Sequence, residues 1–114
     1  MADTIFTKII AREIPADIVY EDDEILAFRD INPQAPVHVL IIPKTDIATV
    51  NDIQSNQAEL IGKLVLTAQK IAADEGIADD GFRLVINCNR HGCQVVFHLH
   101  MHLLGGKQLR GLAG

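Results

Sequence analysis

The chain has 114 residues, of which 48% are hydrophobic and 22% are charged, a composition that is ordinary for one folded domain. No apolar run reaches the length of a membrane span, and the N-terminus lacks the basic and then hydrophobic pattern of a signal peptide. The net charge of −5 argues against nucleic-acid binding, and two cysteines are too few for the disulfide framework of a small secreted protein. We therefore expect a single cytoplasmic domain over residues 1–114, with neither nucleic acid nor a membrane as a partner.

The first half of the chain predicts one short helix followed by three strands. Asp3 and Thr4 can cap the helix, which Pro15 stops after about Glu13. A loop with two prolines, residues 30–36, precedes the third strand. Apolar and β-branched runs bounded by turn residues predict these three strands: 18–20, 25–29 and 37–42.

The second half predicts one long helix and two more strands. Residues 57–75 carry apolar side chains at helical spacing, and Gly76 can end the helix. Two strands near 82–88 and 95–104 follow, separated by the turn 89–93. This order predicts an α+β domain with a five-stranded, mainly antiparallel sheet, a short N-terminal helix and one long helix, with both helices on one face.

Acidic residues are confined to the first 80 residues, whereas most histidines lie in the last third of the chain. Residues 1–80 contain all fifteen acidic and six of the ten basic residues, for a net charge of −9. Residues 81–114 contain four basic and no acidic residues, for a net charge of +4, together with four of the five histidines. Chance clustering is one explanation, and the other is a site for a small anionic ligand in the last third of the chain.

Three of those histidines alternate with apolar residues. If residues 95–104 form a strand, His98, His100 and His102 project from one face. The other face then packs against the long helix, and it carries Val95, Phe97, Leu99, Met101 and Leu103. A face with three histidines is not typical of a core, so this pattern indicates a functional site.

Such a cluster suits either a metal ion or imidazole chemistry. On a strand, His98 and His102 are about 13 Å apart, so one zinc ion would need further ligands such as His38, His91 or Cys93. Neutral imidazole is a nucleophile at neutral pH, while a neighbouring ring can donate a proton, as substitution at phosphorus requires. The pattern favours phosphorus chemistry and predicts neither a metal nor another cofactor.

Residues 98–104, His-Leu-His-Met-His-Leu-Leu, closely resemble the signature of the histidine triad (HIT) family, in which apolar residues separate three histidines. Further segments resemble the Hint branch of this family and occur in the same order: Ile5-Phe6, Glu13-Ile14-Pro15, Phe28-Arg29-Asp30-Ile31, residues 33–38, Ile42-Pro43-Lys44 and residues 83–87. The resemblance covers nearly the whole chain and implies a HIT-like fold and a homodimer.

The resemblance also implies an activity, the hydrolysis of purine nucleoside 5′-phosphoramidates. His100 matches the middle position of the triad, which attacks the α-phosphorus and forms a nucleotidyl-histidine intermediate; water then releases AMP or GMP. By the same match His102 lies against the phosphate oxygens or the leaving group, and an imidazolium beside it would supply the proton for the departing amine. His98 and His38 complete the network of imidazoles that orients the nucleophile.

A nucleotide-binding set follows from the same comparison. Asp30 corresponds to the acceptor of the ribose hydroxyls. The apolar walls around the purine, for which plain core packing is the alternative, would be Ile5, Phe6, Ile9, Phe28 and Ile31. Positions that contact phosphate or ligand would be Asn87, Cys93, Gln94 and Val95, where Cys93 and Val95 replace the Gly and Ser of many relatives.

Two other classes of function stay open from the sequence. One is an enzyme on the same fold that cleaves dinucleoside polyphosphates or transfers nucleotidyl groups. The other is a non-enzymatic interaction module that binds a nucleotide or zinc.

Overall fold

The computed structural model describes residues 3–112, which form two α-helices and five strands besides three short 3₁₀ helices. The two helices are α1 (Ile5–Ile10) and α2 (Ala58–Asp74). The five strands are β1 (Ile18–Glu21), β2 (Ile25–Arg29), β3 (Val37–Pro43), β4 (Phe82–Val85) and β5 (Met101–Gly105). This confirms the predicted α+β class with one short and one long helix. Among the described residues, no helix combines the length and the apolar character needed to cross a membrane.

The strands form one sheet in the order β1-β2-β3-β5-β4, and every neighbouring pair is antiparallel. The last strand of the chain therefore lies in the interior of the sheet, between β3 and β4. In this register His38 is opposite Leu104, and His102 is opposite Leu40. Because directly opposed residues share a face, β3 and β5 bring His38 and His102 to the same side of the sheet.

The two helices cover opposite faces of the sheet, so the prediction that both lie on one face is wrong. The larger core lies under α2 and includes Ala27, Val39, Ile41, Leu64, Ala68, Ile71, Met101 and Leu103. The smaller core lies under α1 and consists of Phe6, Ile9, Leu26, Phe28, Leu40 and Ile42. The reason is visible in β2, where Ile25 to Phe28 are all buried: a strand that is apolar on both faces needs a cover on each.

The first helix begins where the sequence predicts it, at its cap residue Thr4. The Thr4 hydroxyl accepts hydrogen bonds from the backbone N–H groups of Phe6 (3.1 Å) and Thr7 (3.2 Å). The helix ends at Ile10 rather than near Glu13, because the backbone turns into the left-handed region at Arg12 (φ 64°).

The predicted strand over residues 95–104 is wrong in its first half. β5 begins only at Met101, and residues 95–100 are irregular. Leu99, Met101 and Leu103 face α2 as expected, but Val95 is 84% exposed and Phe97 44% exposed. The neighbouring strand β4 ends at Val85 rather than near residue 88, so in the described chain the ladder between β4 and β5 stops at His102.

Candidate active site

Four of the histidines lie together on the α1 side of the sheet although only two of them are in strands. His38 in β3 and His102 in β5 are linked by a hydrogen bond of 2.9 Å between Nε2 and Nδ1. The ring of His100 stands 5.1 Å from that of His102, measured between ring centres. His98 lies deeper and is fully buried. The structure thus brings together all four residues for which the sequence predicts a catalytic role.

The proton positions on His38 and His102 follow from one backbone group. The N–H of Gln34 donates to Nδ1 of His38 over 3.0 Å. Nδ1 of His38 is therefore an acceptor, and in the neutral ring the proton is on Nε2, which donates to Nδ1 of His102. His102 is left with its own proton on Nε2, the nitrogen that is free to donate to a ligand.

His100 has the opposite tautomer. Its Nδ1 lies 2.7 Å from the backbone carbonyl of His98, and because a carbonyl only accepts, Nδ1 carries the proton and donates it. Nε2 then keeps its lone pair. Burial lowers the pKa of His100 below its ordinary value of 6.5, and the nearby His98 lowers it further, against the raising effects of the His98 carbonyl and of Asp30. At pH 7 the ring is therefore a neutral nucleophile.

The neighbouring rings are also neutral at pH 7. Burial, followed by the nearby rings of His100 and His38, lowers the pKa of His102 to about 4. Burial also lowers the pKa of His38, against the raising effect of Asp30, whose carboxylate oxygen is 3.5 Å from Nε2. The proton that His102 offers in the free protein thus belongs to a neutral ring, not to the expected imidazolium.

His98 holds the backbone rather than facing a ligand. Its Nε2 donates to the carbonyl of Pro43, at the end of β3, over 2.7 Å. Its Nδ1 has no hydrogen-bond partner within residues 3–112. His98 lies on the same side of the sheet as His100 and His102, as expected, but its ring bonds to the Pro43 carbonyl rather than facing a ligand.

The side chain of Gln94 also hydrogen-bonds to backbone groups of the protein. Its side-chain amide donates to the carbonyls of Ala48 (2.8 Å) and Val96 (3.1 Å), and its oxygen accepts from the N–H of Asn89 (2.9 Å). The residue is buried, so its side chain supports the loop before His100. Nothing in the spacing of the sequence indicates the bond to Ala48, which lies 46 residues away in the chain.

The residues predicted to hold the nucleoside divide into exposed and buried groups. Ile31 is 96% exposed beside Asp30, and Ile5 is exposed on α1. Phe6, Ile9 and Phe28 are buried in the core under α1, where packing alone accounts for them. Asp30 lies beside His38, and its other oxygen accepts from the N–H of Asn32 over 2.8 Å.

The predicted phosphate-contacting positions lie in and around the loop after β4. Asn87 is half-buried, and Val95 is almost fully exposed. Cys93 is exposed and adopts a left-handed backbone conformation with φ 63°. This conformation is one that favours glycine.

A cation could be held by three side chains of this cluster. One ligand atom each from Asp30, His38 and His102 lies within 4.8 Å of the others. The set includes His38, one of the further ligands that the sequence suggested, but neither His91 nor Cys93. The three atoms suit zinc in type, although a metal would have to replace the proton that His38 shares with His102.

The solvent-facing side of the cluster is formed by His102 and Asp30, which are partly exposed, whereas His38, His98 and His100 are buried. A cavity of about 780 Å³ lies elsewhere, between the end of α2, the start of β4 and the segment after β5. Its lining, within the described chain, includes none of the histidines.

Comparison with known proteins gives consistent matches. The family model described as HIT domain matches residues 11–109. The purine nucleoside phosphoramidase of Escherichia coli strain K12 is 60% identical over 107 residues, which cover 94% of this chain and 90% of that protein. A 14 kDa zinc-binding protein of Zea mays is 51% identical over 108 residues, covering 93% of this chain and 84% of that protein. The crystal structure of a HIT family hydrolase from Legionella pneumophila superposes with a TM-score of 0.95 at 51% identity, covering 98% of this chain and all of that one.

Proposed function

Since the chain belongs to the histidine triad (HIT) family, we propose that it hydrolyses purine nucleoside 5′-phosphoramidates, with His100 as the nucleophile. The observation that carries this proposal is the bond between His100 Nδ1 and the His98 carbonyl, which leaves the Nε2 lone pair available. The 60% identity to a purine nucleoside phosphoramidase supports the choice of substrate.

The reaction has two steps. His100 Nε2 attacks the α-phosphorus, the P–N bond breaks, and the departing nitrogen takes that electron pair and a proton from Nε2 of His102. Water then attacks the nucleotidyl-histidine, giving its proton to His102, and the P–Nε2 bond breaks to release AMP or GMP and restore the His100 lone pair. His38 fixes the tautomer of His102. The ring of His98 holds its own backbone in place, and the carbonyl of that backbone accepts the hydrogen bond from His100.

Asp30 and the apolar groups near it would bind the nucleoside. The Asp30 carboxylate is partly exposed beside His38 and can accept hydrogen bonds from two ribose hydroxyls. The exposed side chains of Ile5 and Ile31 offer apolar surface for a purine. Asn87, Cys93 and Val95 would contribute through the loop that precedes His100, and Val95 through its backbone only.

The central test is His100→Ala with adenosine 5′-phosphoramidate as the substrate. We expect the variant to lose turnover by about 10³-fold or more, since no other ring presents a free lone pair to the same position. His91→Ala is the matched control, because His91 is exposed in the turn Arg90–Gly92 outside the cluster, and it should keep the wild-type rate. Equal rates for His100→Ala and wild type would end the proposal. Faster cleavage of a diadenosine polyphosphate than of the phosphoramidate would reassign the substrate but keep His100.

Metal binding is the second candidate function. The convergence of Asp30, His38 and His102 within 4.8 Å favours it, and the Zea mays relative is named a zinc-binding protein. It predicts zinc in the purified protein by elemental analysis and an activity that chelation changes. Protein without bound metal whose phosphoramidate turnover is unaffected by EDTA would remove this candidate.

We also propose that the protein is a cytoplasmic homodimer. Within residues 3–112, β4 is an edge strand of the sheet and has unpaired backbone groups. Val65 and Leu66 on α2 are exposed apolar side chains that a second copy would cover.

A further inference from the structure

An ion pair joins the end of β2 to the end of α2. The guanidinium of Arg29 donates to both carboxylate oxygens of Glu75, over 2.7 Å from Nη1 and 3.0 Å from Nη2. A forked pair of this kind fixes the relative orientation of its two partners. Arg29 also approaches Asp17, but that contact is 3.5 Å long and the Asp17 side chain is largely exposed, so it contributes less.

Glu75 lies at a helix end that disfavours an acidic residue. It is the C-cap of α2, whose last turn contains Asp74 and no basic residue. The carboxyl end of a helix carries a partial negative charge, so an acidic side chain there costs helix stability. The hydrogen bonds from Arg29 hold the pKa of Glu75 below its ordinary value, against the raising effect of burial. A charge kept at an unfavourable helix end indicates that Glu75 serves to hold Arg29.

Arg29 directly precedes Asp30, and the two side chains lie on opposite faces of the sheet. Arg29 is opposite Val39 of the larger core, which places its side chain on the α2 side. The Asp30 carboxylate is 3.5 Å from Nε2 of His38, on the side of the histidines. Arg29 is also the last residue of β2, and the chain leaves the sheet at Asp30. The ion pair therefore holds the backbone at the point from which Asp30 extends into the site.

The contacts that Asp30 makes on its own side leave a need for this restraint. Its N–H donates to the His38 carbonyl over 3.0 Å, and one carboxylate oxygen accepts from the N–H of Asn32. Asn32 belongs to the same loop as Asp30, so this second bond moves with the loop. Arg29 and Glu75 add a fixed point on the other face of the sheet.

We propose that Arg29 and Glu75 are positioning residues for Asp30: their ion pair fixes the carboxylate where it accepts hydrogen bonds from the ribose hydroxyls. This inference rests on the proposed role of Asp30 in binding the nucleoside. It assigns a part of nucleotide affinity, and not the chemical step, to a contact on the face of the sheet away from the histidines.

The test compares the binding of AMP with that of 2′,3′-dideoxyadenosine 5′-monophosphate, which lacks both ribose hydroxyls, by isothermal titration calorimetry. In Arg29→Met and in Glu75→Gln we expect the Kd of AMP to rise about 3-fold to 10-fold, because the hydrogen bonds to Asp30 are weakened. The Kd of the dideoxy ligand should change less than 2-fold. Arg29→Lys keeps the charge but not the fork, so it should retain part of the affinity for AMP.

The same split is expected in turnover. With adenosine 5′-phosphoramidate, KM should rise in Arg29→Met while kcat changes less than 2-fold, since neither residue touches the reacting atoms. Lys63→Met is the matched control: Lys63 pairs with Glu24, so this variant removes another ion pair between α2 and the sheet, outside the site. It should leave the Kd of both ligands unchanged. Glu75→Gln keeps the shape of the side chain and guards against loss of the fold.

Equal losses of affinity for AMP and for the dideoxy ligand would overturn the inference, because they would indicate a general structural role for the ion pair. Unchanged binding of AMP in both variants would overturn it as well, and so would a wild type that binds the two ligands equally. The calorimetry needs no turnover, so it separates this inference from the proposed function. If the wild type binds AMP but does not cleave phosphoramidates, the proposed function fails, and a loss of affinity confined to AMP would still support the role of Arg29 and Glu75.

Discussion

The proton positions on the clustered imidazoles follow from backbone groups that can only donate or only accept a hydrogen bond. The N–H of Gln34 can only donate, so His38 carries its proton on Nε2; the carbonyl of His98 can only accept, so His100 carries its proton on Nδ1. The first arrangement makes His102 a proton donor, and the second makes His100 a nucleophile. Histidine thus serves as a proton donor at one position and as a nucleophile at the other, because a different ring nitrogen is already hydrogen-bonded in each case.

The first prediction concerns the pH dependence of turnover. Protonation of His100 removes the Nε2 lone pair, so activity is lost as the pH falls through its pKa. Because burial lowers that pKa, we expect the acid limb of kcat/KM to have its midpoint below 6.5. A pH–rate profile measures it, and a midpoint above 6.5 would contradict the neutral nucleophile.

At this scale the sequence identified the histidines but not their states. Alternation correctly indicates that His100 and His102 belong to one site. It does not reveal that His98 bonds to the Pro43 carbonyl, because that partner is remote in sequence. Tautomers likewise depend on tertiary partners such as Gln34.

At the scale of elements, the important segment is the β4–β5 connection, residues 86–100, which carries the nucleophile. Its support comes from the connection after β3: Leu99 N–H donates to the Ile47 carbonyl over 2.7 Å, and the Gln94 amide donates to the Ala48 carbonyl. These bonds replace the strand pairing that the sequence predicts for residues 95–100. They also fix the position of the His98 carbonyl, which in turn orients His100.

The second prediction tests this support with Gln94→Ala. The variant leaves the partly buried carbonyls of Ala48 and Val96 without this donor, so we expect the free energy of unfolding to fall by about 1–2 kcal/mol. Denaturant unfolding measures this loss, and steady-state kinetics should show a lower kcat because His100 is less well placed. Gln108→Ala is the control, because that amide is exposed and bonds only to its neighbour Leu109 in the described chain. Unchanged stability in Gln94→Ala would contradict the role we assign to Gln94.

The third prediction concerns backbone strain in the same segment. Cys93 has φ 63°, a conformation that costs a residue with a Cβ about 1–2 kcal/mol, and glycine avoids most of that cost. We expect Cys93→Gly to stabilise the protein by about 0.5–1 kcal/mol, measured as a higher Tm. Cys93→Ala keeps the Cβ and should have nearly the wild-type Tm, which distinguishes strain from loss of the thiol. A lower Tm for the glycine variant would contradict this account.

At the scale of the whole molecule, the site depends on the sheet being covered on both faces. α2 and its core occupy one face, and the smaller core under α1 occupies the other. The histidine cluster borders the smaller core, where Phe6 reaches His100. The larger core therefore supports the strands, and the smaller one shapes the environment of the nucleophile.

The fourth prediction concerns assembly. Leu66 on α2 is 63% exposed. If a second copy covers this position, a charged side chain there would be buried without a partner, which is unfavourable. We expect Leu66→Lys to shift the protein from dimer toward monomer in size-exclusion chromatography with light scattering. Val50→Lys, at an exposed apolar residue outside α2 and β4, should leave the mass unchanged. A wild-type protein of monomeric mass would reject the homodimer, and a dimeric Leu66→Lys would place the interface elsewhere.

The sequence by itself determined the order of the elements, the cap at Thr4, the antiparallel class of the sheet and the identity of the histidine cluster. These properties depend on spacing between near neighbours, which the chain carries locally. Only the tertiary structure decided that residues 95–100 leave the strand, that α1 covers the second face, and which nitrogen of each imidazole is free. Those outcomes depend on the carbonyls of Pro43, Ile47 and Ala48 and on the ring of Phe6, whose positions relative to the nucleophile exist only once the chain has folded.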